Sequence, residues 1–208
     1  MAKTPQFEKA KQFALDWIKD ETPRLMWYHN LEHTKDSVLP AAERLLTMEG
    51  VKGKERQIVM VAAAYHDIGY TMTYQDHEEA SAYMAGDMLP QFGYSKKDIR
   101  DIKKVIMATR LPQTPENILE KIMCDADIDI LGTDDFFTKN GYLMLEMNNN
   151  GSNFETNEWN KQQLEFLEQH NYFTASAREL NNEGKQKNIA LMRTLSNSLG
   201  LNYKTAVQ

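Results

Sequence analysis

The chain has 208 residues, a single cysteine, a net charge of −6 and a pI of about 5.4. That length suits one domain that buries a sizeable core without disulfides or structural metals. One cysteine excludes an internal disulfide and a cysteine-based zinc site. The acidic balance, without a basic run, argues against non-specific binding to duplex nucleic acid or to an anionic membrane surface.

Ten glycines and six prolines fall below the average usage of about 12% for the two together, which favours long helices over many short strands. The opening MAKTPQFEKA has no apolar signal region, and no stretch approaches the 18 or so apolar residues of a membrane span. With the lone cysteine, these features lead to the expectation of a cytoplasmic, all-α protein.

Phe7, Ala10, Phe13, Ala14, Trp17 and Ile18 repeat at helical spacing, predicting a helix over 6–20 that ends before Pro23. A second helix is predicted over 31–48, kinked or split at Pro40. Gly50 and Gly53 mark a turn, and 54–68 reads as a largely buried helix followed by Gly69. A polar and aromatic loop over 70–76 leads into a helix over 77–91. Ser95 is placed to cap a helix running to about Thr109. Pro112 and Pro115 bracket a loop. Helices then follow over 116–131, 134–147, about 154–170, 174–182 and 185–199. The NNNGSN run at 148–153 is the clearest break. Only 55 residues follow it, which makes it a surface loop of a single 1–208 domain, with the helices over about 154–199 packed on the core, rather than a linker.

The chain has five histidines, four of them between residues 29 and 77. In Tyr28-His29-Asn30-Leu31-Glu32-His33, two histidines at i and i+4 share a helix face. They suit two metal ligands, one ligand beside an acid/base group, or a surface pair. His66-Asp67 ends an apolar helix. An Asp buried there needs a partner such as a divalent cation, whereas an exposed one is merely solvated. Asp125, Asp127 and Asp129 alternate through an otherwise apolar segment, so at least one carboxylate points inward. Together His33, His66, Asp67 and Asp127 offer two imidazoles and two carboxylates, a donor set suited to Mn, Fe, Ni, Zn or Mg. Cys124 reads as an inert core thiol, and His170, among Phe166, Tyr172 and Phe173, as a packing residue.

The order His33 … His66-Asp67 … Asp127 resembles the signature of the HD superfamily of metal-dependent phosphohydrolases. YHDIGY is similar to that family's HD-I-G doublet and DADIDILG to its DAD-x-x-x-x-G element. The resemblance covers roughly half the chain by motif. The 75 or so C-terminal residues look like those of uncharacterised bacterial HD-domain proteins. YHNLEH is similar to the YHNxxH motif of cyclic-nucleotide phosphodiesterases, whose first histidine protonates the leaving oxygen and whose second binds metal.

The resemblance implies an all-α HD-type domain with His33, His66, Asp67 and Asp127 around a divalent ion. His29 becomes the general acid, and Asp67 also orients the attacking water. His77 and Arg110 are candidates for substrate phosphate or a second metal. The implied reaction is hydrolysis of a phosphate ester, in a nucleotide or other small phosphorylated metabolite. The alternatives are a non-catalytic metal-containing module that senses a nucleotide or binds a partner, and a two-iron oxygenase of the same fold.

Overall fold

In the computed structural model, residues 5–198 are described, with side chains described to 196, and every regular element among them is helical. α1 (Phe7–Glu21) buries Ala10, Ala14, Leu15 and Ile18. A π-helical turn, His33–Val38, runs straight into α2 (Leu39–Met48), with Pro40 in its first turn. Proline has no N–H to donate, so the chain accommodates it by widening the preceding turn rather than by breaking.

α3 (Gly53–Tyr65) has every side chain from Ile58 to Tyr65 buried. It is the central helix, packed by α1, α2, α5 (Lys96–Met107) and α6 (Ile118–Asp127), as an apolar surface on all sides requires. α4 (His77–Met88) lies against α5 and against a 3₁₀ turn, Ile68–Thr71. The predicted cap is present: Ser95 Oγ accepts from the Asp98 N–H at 3.2 Å. The loop predicted at 148–153 begins only at 150, because α7 (Phe136–Asn149) runs two residues into it, and the Asn148 side chain at its end bridges both backbone groups of Phe154.

Two expectations are corrected. The helices over 54–68, 77–91 and 116–131 stop short, at Tyr65, Met88 and Asp127, and the chain continues in 3₁₀ turns. The helices expected at 174–182 and 185–199 form one helix, α9 (Ala175–Ser198), as far as the described residues run. Gly184 is not a breaker. A Cβ there would sit 1.8 Å from the Gly132 carbonyl oxygen, so the glycine lets α9 lie directly on the 3₁₀ turn Asp129–Gly132. Gly184→Ala is expected to cost about 1–3 kcal/mol of stability through this overlap, read as a lowered urea midpoint at unchanged slope.

Each alternating aspartate holds a different part of this arrangement. Asp125 accepts from the Phe173 and Thr174 N–H groups and the Thr174 hydroxyl at 2.7–2.8 Å, tying down the start of α9. Asp129 bonds Arg44 of α2 and Asn181 of α9. Asp127 faces the site described below. Cys124 is buried, and its thiol donates to the Ala108 carbonyl.

His170 ends α8 (Thr156–Gln169), stacked on Phe166 and edge-on to Tyr172, with both ring nitrogens buried and unpartnered. Burial, aided by the Lys185 ammonium, lowers its pKa from 6.5 to about 4. In the unfolded chain His170 takes up a proton near pH 6.5 and in the folded chain only near 4. Its share of stability is therefore whole above 6.5 and lost as pH falls toward 4, up to about 3 kcal/mol. His170→Phe should fold at least as stably at pH 7 and lose less stability between pH 6.5 and 4, which thermal melts across that range would reveal.

Candidate metal centre and its cavity

The chemistry-bearing side chains stand where helices begin, end or change pitch. His33 opens the π-helical turn, His66 and Asp67 follow the last turn of α3, Asp127 is the last residue of α6 and His77 the first of α4. Such irregular ends let side chains from four segments converge, which straight helices in contact would not allow.

The donor atoms of His33, His66, Asp67 and Asp127 all lie within 4.8 Å of one another. His33 Nε2 is 3.5 Å from Asp67 Oδ2 and 3.3 Å from Asp127 Oδ1, and His66 Nε2 is 3.1 and 3.2 Å from the same two atoms. His66 Nε2 and Asp67 Oδ2 are buried without a hydrogen-bond partner. The Nδ1–H of His66 donates to the Ala63 carbonyl at 2.8 Å, which turns Nε2 toward the cluster. Burial raises both carboxyls, but the neighbouring histidines together outweigh it: His66, with the charges of His29 and His33, holds Asp67 below the usual carboxylate range, and His33 and His66 do the same for Asp127. Anionic carboxylates facing imidazole nitrogens, with two buried atoms unpartnered, fit a divalent cation.

Beside the cluster stands an assembly that only part of the sequence reading anticipated. His29 Nδ1 bonds Glu146 Oε1, and Glu146 Oε2 accepts the backbone N–H groups of Tyr28 and His29 at 2.8 and 2.9 Å. Glu146 is completely buried in α7. The Tyr70 ring packs against both His29 and His77, with centroids at 4.3 and 3.9 Å, and the two imidazole centroids are 6.0 Å apart. Tyr70 Oη is 3.4 Å from His29 Nε2. Burial alone would lower His29, but the Glu146 bond and the surrounding carboxylates leave it above its ordinary 6.5.

His77 Nε2 lies 3.6 Å from both Asp67 Oδ1 and Glu78 Oε1, so the structure brings it to the site. Burial lowers its pKa. Gly69 makes this placement possible: a Cβ there would meet the His77 carbonyl at 2.1 Å, and its N–H donates to Ser81 Oγ of α4. Arg110 is placed differently. Its guanidinium, 43% exposed, pairs with Asp76 and Glu79.

The cluster opens onto a cavity of about 450 Å³, lined by His29, Asp67, His77 and Asp127 and by Phe136, Asn140, Trp159 and Phe166 from α7 and α8. Glu146, Tyr70 and the α7–α8 wall went unnoticed in the sequence. The available signal for Glu146 was the one that exposed Asp127, an acid inside an apolar run (LMLEM).

An all-helical scaffold holding two histidines and two aspartates around one point defines a metal-site protein of HD type. The HD domain family profile matches residues 12–129, and the chain belongs to that family. Three solved structures share the fold. A predicted HD superfamily hydrolase from an uncultured Thermotogales bacterium is 19% identical, with a TM-score of 0.62 and 94% of each chain covered. Bacillus subtilis YpgQ, solved in complex with ADP, is 19% identical, with a TM-score of 0.64, covering 92% of this chain and 96% of its own. A Lactobacillus plantarum protein is 14% identical, with a TM-score of 0.69, covering 97% of this chain and all of its own. An uncharacterized protein of Clostridium beijerinckii is 30% identical over 95 residues, and the match spans 44% of this chain and 59% of that protein. No helix among the described residues is long and apolar enough to cross a membrane.

Proposed function

We propose that the protein is a metal-dependent hydrolase of a phosphate ester, acting on a nucleotide or other small phosphorylated metabolite. The observation that carries this reading is the pairing of a four-donor cluster with an independently held histidine at the mouth of one cavity. His33, His66, Asp67 and Asp127 would hold the ion, which when bound supplies Lewis-acid polarisation of a phosphoryl oxygen and acidifies water.

The chain's own residues supply the rest. Glu146 takes the Nδ1–H of His29, so the proton His29 can give away is on Nε2, the nitrogen nearest Tyr70 Oη. An alkoxide leaving group needs that proton, and a raised imidazole pKa favours the protonated form that can give it. Stacking on Tyr70 fixes the ring plane. Asp67 uses Oδ2 toward the cluster, while Oδ1, facing His77, is free to orient water.

The test is a metal-reconstituted screen of phosphorylated metabolites, with His66→Ala as the control. Turnover that requires metal and disappears in the variant is expected. A second reading, a metal-containing module that binds a nucleotide without hydrolysing it, is favoured by the ADP held in the B. subtilis neighbour. Saturable nucleotide binding with no product from any substrate would establish that reading instead.

A further inference from the structure

Resting on the hydrolase reading, we infer that the cavity selects a monophosphate ester whose alcohol carries a planar ring with a hydrogen-bond acceptor, and that Asn140 reads that acceptor. The cavity, at about 450 Å³, is far larger than a phosphoryl group and is within the range of small-molecule sites. Tyr74 and Phe166, both partly exposed, give it aromatic surface, suited to offset stacking with a flat ring.

Asn140 has a defined orientation. The Trp159 indole N–H is a donor only, and it bonds Asn140 Oδ1 at 3.1 Å. That spends the acceptor end of a side chain only 8% exposed and leaves its Nδ2 donors without a protein partner at the cavity wall. An amide with its acceptor end spent and its donor end open to the cavity calls for an acceptor on the ligand.

The fixed charges limit the other end of the substrate. Asp67, Glu78 and Asp127 line the cavity, and Lys139 is the one lysine or arginine among the described lining residues. Lys139 is already bonded to Glu32 at 2.6 Å, and Arg110 is held by Asp76 and Glu79. One phosphoryl group can be neutralised by the bound ion. Each further one would meet carboxylates with only the His29 imidazolium, already committed to the leaving group, to offset them.

The test compares 4-acetylphenyl phosphate, a ring with an acceptor, and 4-aminophenyl phosphate, a ring with a donor, in the metal-loaded protein and in Asn140→Asp. This substitution keeps the acceptor for Trp159 and removes the donors. The ratio of kcat/KM, acetyl over amino, is expected to fall at least tenfold in the variant, and leaving-group differences cancel in that comparison. Uridine 5′-monophosphate should exceed uridine 5′-triphosphate in kcat/KM by at least tenfold. Circular dichroism and metal content check that the variant folds. If it does not, Trp159→Phe, which removes the N–H that fixes the Asn140 amide and lets either end turn to the cavity, should lower the same ratio about threefold to tenfold. An unchanged ratio, or equal use of the triphosphate, overturns the inference and leaves the hydrolase reading intact. If no probe is turned over, the hydrolase reading fails on its own, and equilibrium dialysis of the two aryl phosphates decides the inference by the same ratio.

Discussion

His66→Ala and Asp67→Ala are each expected to abolish metal binding and hydrolysis together. Each removes one of four donors and leaves a buried group facing it unpaired: without His66, Asp67 Oδ2 and Asp127 Oδ1 confront each other with only His33 between them. Removing one partner of a buried charged set typically costs about 3–5 kcal/mol in its interaction free energy. The affected energy here is chiefly that of holding the ion, because the cluster sits at helix ends and not within the apolar core around α3. Metal content by mass spectrometry and turnover should fall in parallel while the helical circular dichroism persists. Full metal-dependent turnover by both variants would refute the site assignment.

His29→Ala should separate chemistry from metal binding. His29 does not belong to the four-donor cluster, so the variant should retain metal. It should lose about 10²- to 10⁴-fold in kcat, the usual contribution of a general acid. The loss should be greatest for alkyl phosphates and smallest for p-nitrophenyl esters, whose leaving group departs without a proton. Glu146→Gln should move in the same direction with a smaller loss, since it disturbs how the imidazole is held and not its presence. A purely structural role for Glu146 would not alter the dependence on leaving group. If His29→Ala lost metal, His29 would be a ligand and the acid role would be wrong.

The all-α class and the residues of the metal cluster were legible because each carries a local anomaly. A His-Asp doublet closing an apolar helix and carboxylates inside an apolar run conflict with simple burial, and such conflicts mark sites. Glu146 carried the same anomaly but has no neighbour in sequence to explain it, since its partners Tyr28 and His29 lie more than a hundred residues away. Tyr70 sat in a segment read as a loop because a 3₁₀ turn of four residues leaves no periodicity to detect. The expected break between 182 and 185 falls at Gly184, whose reason is tertiary, the close approach to Gly132. Arg110 was considered for phosphate on its residue type. Only the fold brings Asp76 and Glu79 to its guanidinium.

The four donors all precede residue 130, inside the stretch matched by the family profile, whereas Glu146 and the α7–α8 wall of the cavity come after it. On the proposed reading, the residues that would hold the ion and the α7–α8 wall of the cavity thus lie on successive lengths of chain, with Glu146 the one residue of the second length that reaches back to the acid. A library over residues 133–170 that spares Glu146 should therefore retune selectivity without having to rebuild the metal centre.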